Sequence, residues 1–464
     1  MRRALIVAIL LVIVAPFECR RAGGVDEDPR DAEAQKNFVE YLKIDTSNPP
    51  GNEGNGAVYL QRLLLKEGIR AELLGTDVHR FSVYARLESG TKEKALLLLN
   101  HIDVVPVVAN EWTKPPFGGA VDGGYIWGRG ALDMKSVGVA QLMALIDLKR
   151  RNVPLTRDVI FVGVADEEMG GKNGMEKLLA LFPERFANVG YVINEGGFNE
   201  TIVDRVSFWG VEVQQKLPLW IRLHAKGTAG HSASPPDDGG TLVHLVRAVD
   251  AVSRIATPYR ITPDVERFLH EDGAIRNDER GAVLRNIENE LASPRLEHVL
   301  SPSYRSLLRD TIAVTRINGG TSINSIPANA SADVDIRLLP DETHDAMLQR
   351  VKDACGKDAE VEVLLTADPL PASSSDTDLF RLLERDLKAE SPGSRVAAVV
   401  SPGASDSRFF RARGVVAYGF SPFKVNYYDA GTAHANDERI RSRFFLDGVR
   451  LMRRIVSDFC AREK

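Results

Sequence analysis

The stretch ALLLLNHID, residues 95–103, decides how the rest of this chain is read. The unbroken apolar run from Ala95 to Leu99 has the length and composition of a strand buried on both faces, as in a parallel sheet. Such a sheet delivers whatever follows the strand to its carboxyl edge, where open α/β sheets bind their ligands. Here that is His101, with Asp103 two residues on and facing the same way in an extended chain. A lone His at such a place is commonly a hydrogen-bonded structural residue. An acid behind it to orient the imidazole is what metal-bound histidines require.

The same arrangement recurs along the chain. VIFVGV at 159–164 runs into ADEEMGG, with Glu167 and Glu168, and VGYVI at 189–193 runs into NEGG, with Glu195. WGRGALDMK places Asp133 between Gly128-Arg129-Gly130 and a helix predicted from Lys135 to about Leu148, and GTAHAND carries His434. Taken singly, Asp133 reads as a helix N-cap, Glu167 and Glu168 as a solvated turn, and Glu195 as a loop acid. Adjacent carboxylates point to opposite sides of an extended chain, so one of the Glu pair can hold a metal while its neighbour faces a substrate. Independent accidents would not line up at strand end after strand end. Two zinc ions sharing a carboxylate need this inventory: a His and a carboxylate for each ion, a shared Asp, and a spare Glu to move protons.

In combination these segments resemble the zinc-dependent aminoacylase and carboxypeptidase family that includes acetylornithine deacetylase, succinyl-diaminopimelate desuccinylase, glutamate carboxypeptidase and carboxypeptidase S, over about Asp31 to Cys460. The resemblance implies that His101, Asp133 and Glu195 hold one zinc and Asp133, Glu168 and His434 the other. Cobalt would be a workable substitute. Glu167 would be the general base, with Asp103 behind His101. The implied fold is α/β, a mostly parallel sheet flanked by helices, with a smaller α+β lid or dimerisation domain inserted.

Three further segments match that lid. GTAGHSASP places His231 after a predicted strand, Leu219 to Lys226, and before a helix beginning near Gly240. Its counterpart supports the substrate's oxyanion and, in dimeric relatives, reaches the partner's active site. GGTSINSIP with Asn324 and DVDIRLLPD with Arg337 resemble lid segments that contact the substrate's carboxylate end. Read alone, His231 and Asn324 are turn residues and Arg337 a surface cation. The expected organisation is a signal peptide or membrane anchor at 1–24, catalytic segments at 25–214 and 368–464, and the lid at 215–367, with later strands near Thr311–Ile317, Val396 and Val415. Between Ile261 and Leu308 lies a charged stretch with helical spacing, longer than compact members need and similar to the carboxypeptidase S-like branch. Phe208-Trp209-Gly210-Val211-Glu212, at the crossing into the lid, reads either as hinge packing or as a pocket wall. Asp406 in PGASDSRFF reads as a helix N-cap.

Composition agrees with a globular enzyme. The 464 residues are 44% hydrophobic and 27% charged, with 59 Lys plus Arg against 64 Asp plus Glu and a net charge of -5. Without a basic block or an RNA-binding signature, nucleic acid is excluded as the expected partner. The amino terminus, MRR followed by an apolar run from Ala4 to Ala15, predicts export, giving a periplasmic, secreted or membrane-anchored protein. That run is short for a full span. Cys19 is a poor lipidation site after Pro16-Phe17-Glu18, and Val25–Ala34 reads as a polar tether. Cys355 and Cys460 are too few for a disulfide framework. The expected reaction is hydrolysis of the amide of an N-acyl amino acid or short peptide bearing a free carboxylate. Its rivals are a zinc aminopeptidase acting on free amines and a non-catalytic zinc-binding protein.

Overall fold

The structure is a computed structural model that describes residues 28–462 apart from residue 203. The expected export signal or anchor, Cys19 included, lies outside the described residues. At the centre of the large sheet, strands Val159–Val164, Ala95–His101, Val189–Asn194 and Val416–Gly419 lie side by side and run parallel. Antiparallel pairings occur toward the flanks, through Ser82–Leu87 and Ala71–Leu74 on one side and Arg205–Gln215 on the other. Arg395–Ser401 then runs parallel to Arg205–Gln215.

Every residue of Ala95–His101 and Val159–Val164 is buried. The reason is two-sided cover: Leu96 and Leu98 pack in the cluster built on helices Pro29–Leu42, Lys135–Arg150 and Ser442–Cys460. Leu97 and Leu99 face the opposite cluster, with Met175, Leu178 and Phe186. The continuous apolar runs of the sequence are therefore two interleaved faces. The polar tether expected over Val25–Ala34 is corrected from Pro29 onward, where a helix begins and buries Ala34 and Phe38. Arg30 in its first turn reaches Asp147 at 3.3 Å, near the far end of Lys135–Arg150, and Asp31 pairs with Arg450.

The second sheet is antiparallel, in the order Thr311–Gly319, Asn329–Leu338, Leu217–Lys226, Glu360–Thr366. Leu219, Ile221 and Leu223 alternate inward with Val334 and Ile336, and helices Thr241–Ser253 and His344–Cys355 cover them. The opposite face, with Trp220, Arg222, Asp333 and Arg337, looks into the cleft described below.

The 261–308 stretch forms short helices, from Pro263–Ala274 to Pro302–Ser306. Although it interrupts the second sheet in sequence, its Val265, Phe268, Leu284 and Leu308 pack with Phe208, Ala397 and Val399 of the large sheet. Phe208 and Trp209 are buried there, with Phe208 stacked 5.8 Å from Phe198, so of the two readings the aromatic pair is packing. Cys355 and Cys460 are free and buried. No helix among the described residues is long and apolar enough to cross a membrane.

Candidate metal centre

The parallel strands end at one edge, and their loops converge there. His101 Nε2 lies 3.0 Å from Asp133 Oδ1 and 3.5 Å from Glu195 Oε2. His434 Nε2 lies 3.0 Å from the other Asp133 oxygen and 3.3 Å from Glu168 Oε1. The structure thus brings together two trios, His101–Asp133–Glu195 and Asp133–Glu168–His434, with one carboxylate common to both. Asp133 does not cap the helix that follows: Met134 occupies the N-cap position, and the Asp133 carboxylate turns to the two histidines instead.

Tautomer and charge both favour a cation here. His101 Nδ1 is 2.9 Å from the Asp103 carbonyl oxygen, so it carries the proton and leaves the Nε2 lone pair facing Asp133 and Glu195. Three carboxylates meet two imidazoles, and among the described residues no Lys or Arg pairs with Asp133, Glu168 or Glu195. The crowding is felt in titration. Burial pushes Glu195 up to about 7, with Asp133 adding to the effect. His434 is drawn up to about 11 by its bonds to Asp133 and Glu168. Burial alone would depress His101, but Glu195 and Asp133 hold it well above its ordinary range. Two divalent cations of borderline softness, each with a His and carboxylates, fit this donor set.

The turn that carries the adjacent glutamates is fixed from behind. Asp103 is fully buried, and its carboxylate accepts the Glu167 and Glu168 backbone N–H groups at 3.2 and 3.1 Å and the Asn48 amide at 3.0 Å. Its carboxylate is 3.6 Å from the His101 ring, so the imidazole is oriented by the Asp103 carbonyl while the side chain holds the glutamate turn. Glu167 and Glu168 do not sit on a strand: Asp166 has a left-handed φ of 72°, and Glu167–Met169 form one 3₁₀ turn. Glu168 reaches His434, whereas Glu167 lines the cleft beside Glu195. Burial and the Glu195 charge raise Glu167 well above the usual carboxylate range. The turn closes through Gly170 and Gly171, both at positive φ; a Cβ on Gly171 would stand 2.4 Å from an Asp406 oxygen. Asp406 does occupy an N-cap position, but its side chain makes no capping bond.

The cleft, about 580 Å³, lies between this cluster and the polar face of the second sheet. Arg337 lines it, its guanidinium forked onto Asp335 at 2.7 and 3.0 Å. Arg222 and Arg316 both pair with Asp333. Arg408, which the sequence reading passed over, donates to the Gly170 carbonyl at 2.5 Å and pairs with no acid among the described residues. His231 and Asn324 are elsewhere. They are exposed on a two-stranded ribbon, Gly230–His231 against Ser325–Ile326, where Ser232 N–H donates to the Asn324 carbonyl at 3.2 Å. Neither lines the cleft of its own chain.

The sequence reading also missed Glu438, one residue beyond the quoted GTAHAND. It is 0% exposed and holds the Asp133 loop through four hydrogen bonds. An acid directly after a ligand motif is the signal the sequence offered.

A family model for Peptidase family M20/M25/M40 matches residues 97–458. The chain belongs to that family. It is 32% identical over 390 residues to the N-fatty-acyl-amino acid synthase/hydrolase PM20D1 of Bos taurus, covering 80% of this chain and 75% of the relative. Aminoacylase-1 of Sus scrofa is 26% identical over 434 residues, covering 90% and 93%. In fold the chain is similar to the M20 family metallo-carboxypeptidase Sso-CP2 of Sulfolobus solfataricus, with a TM-score of 0.73 at 22% identity over 92% of this chain and 99% of that one. The YXEP protein of Bacillus subtilis, a dinuclear metal binding peptidase from the M20 family, is similar in fold with a TM-score of 0.52 at 14% identity over 92% of this chain and 98% of that one. This member of the family is a metallohydrolase acting on amides.

Proposed function

We propose that the protein is a two-zinc hydrolase of N-acyl amino acids or short peptides that carry a free carboxylate. The observation that carries this reading is the pair of trios sharing Asp133, with the uncommitted Glu167 beside them and a cleft wall of arginines opposite. His101, Asp133 and Glu195 would hold one ion, and Asp133, Glu168 and His434 the other. Such ions lower the pKa of a water toward about 7 and polarise an amide carbonyl.

The side chains account for the rest. Glu167, raised by burial, suits a group that takes the attacking water's proton and hands it to the leaving amine. Arg337 and Arg408 would receive the substrate carboxylate; Arg408 is the better placed electrostatically, since Asp335 already neutralises Arg337. Met169, Trp220 and Leu365 line the same cleft and offer apolar contact to an acyl group, consistent with a relative whose name specifies N-fatty-acyl-amino acids.

His231 would steady the oxyanion, and Asn324 would touch the carboxylate end. Because both are exposed away from their own cleft, this role needs the ribbon of a second copy, which favours a homodimer built through the lid. Export or tethering through residues 1–24 completes the proposal and would be read by a reporter active only outside the cytoplasm. The deciding experiment is a screen of N-acyl amino acids, dipeptides and free-amine substrates with zinc- or cobalt-loaded protein. Turnover confined to substrates with a free amino terminus would replace this reading with the aminopeptidase.

A further inference from the structure

The two loops that meet at the metal cluster are more than 300 residues apart in sequence, and a small sheet outside the main one explains why they touch. Arg439–Arg441 pairs antiparallel with Tyr125–Trp127, Arg439 opposite Trp127. The chain leaving Trp127 toward Asp133 and the chain arriving from His434 therefore run side by side. Gly128 N–H donates to the Glu438 carbonyl at 2.9 Å and extends that pairing.

Inside the seam lies an ion pair. Glu438 Oε1 accepts the Leu132 and Asp133 N–H groups at 2.7 and 3.1 Å. Its Oε2 accepts the Gly130 N–H at 3.0 Å and an Arg129 guanidinium N–H at 2.7 Å. Arg129, 2% exposed, also donates to the His434 carbonyl at 3.4 Å and lies 5.1 Å from the Trp112 ring centroid. One carboxylate thus satisfies three loop amides and one arginine, and the arginine in turn touches the loop of the other ligand.

The His434 loop needs such restraint. The His434 side chain is 52% exposed, and both His434 and Asp437 have left-handed φ, 59° and 58°, which non-glycine residues hold only under surrounding constraint. His101 and Glu195, by contrast, directly follow or end buried strands of the large sheet.

We propose that the buried Arg129–Glu438 pair is a clasp that presets the Asp133–Glu168–His434 site, while the His101–Glu195 side is preset by the sheet. In Asp133–Glu168–His434 two ligands, Asp133 and His434, depend on the clasp; in His101–Asp133–Glu195 only Asp133 does. The clasp residues touch neither substrate nor ion, so they are positioning residues.

This inference rests on the paired-metal reading, and zinc titration of metal-stripped full-length protein separates the two. Wild type should take up two tight equivalents; a single one would defeat the paired-metal reading itself. In Glu438→Gln an amide NH₂ must confront N–H donors. The second equivalent should then weaken on the order of 10- to 100-fold, the usual cost of losing a group behind a metal ligand, with the first retained. Adding His434→Ala to Glu438→Gln should cause no further loss of tight zinc. Hydrogen exchange of metal-free protein should accelerate over residues 128–134 and 432–438. A folded Glu438→Gln that binds both ions as wild type does, or weakens both by one common factor, overturns the clasp. Should that variant fail to fold, Arg129→Lys keeps the charge but loses the planar pair of donors that reaches Glu438 and the His434 carbonyl together. It must still weaken the second equivalent selectively, and unchanged binding there overturns the proposal.

Discussion

In the large sheet, Ala95–His101 is buried on both faces and its chemistry sits at the end of the strand. In the second sheet, Leu217–Lys226 alternates in burial from Leu219 onward and displays Trp220 and Arg222 along its length. Strand ends of a parallel sheet converge on one edge, which gathers His101, Glu168 and Glu195 where the separate loops of Asp133 and His434 meet them. A sheet face spreads its side chains at the spacing of strands, about 4.8 Å apart. The first geometry suits a metal pair and the second suits recognition of an extended, charged substrate.

That division of labour can be broken in order of severity. Chelation should abolish turnover, and about two equivalents of zinc should restore it; activity that survives exhaustive stripping would mean the strand-end cluster is not the catalytic one. Glu167→Gln comes next, with a loss of roughly 10²–10⁴ in turnover and metal content unchanged by elemental analysis. If instead Glu168→Gln kept its metal and Glu167→Gln lost it, the roles within the turn are reversed. Mixing inactive Glu167→Gln with inactive His231→Ala should return activity, because the heterodimer holds one site with both residues intact. Demonstrated subunit exchange without recovery would assign His231 to its own chain or to no catalytic role.

Recognition by the lid face and its surroundings should be milder. Arg408→Ala should raise KM roughly tenfold to a hundredfold, the value of a charge-assisted hydrogen bond, with a smaller change in kcat. Equal effects on substrates with and without a carboxylate would remove Arg408 from recognition. Arg337→Ala, already partnered by Asp335, should cost less than Arg408→Ala in the same assay.

What the sequence could disclose follows the same division. A strand covered on both sides must be continuously apolar, so the central strands and the residues that follow them were visible in one dimension. Asp133 was ambiguous because a helix N-cap and a metal ligand use the same residue type; only the turn of its side chain toward His101 and His434 separates them. In sequence Asp103 reads as an imidazole partner, yet its carboxylate holds the Glu167–Glu168 turn, a contact across 64 and 65 residues with no local signature. Arg129 and Glu438 pair across 309 residues. The apolar positions of 263–274 announce a helix, but nothing in its period says that it docks on the large sheet rather than on the lid it interrupts.

The ion pair between Arg30 and Asp147 carries a practical consequence. Asp147 lies twelve residues along the helix that starts beside Asp133, a rise of about 18 Å, so the first described residues meet the body at the end remote from the cleft. A support or surface attached ahead of Asp28 would hold the enzyme at the end away from the cleft and leave the cleft unobstructed.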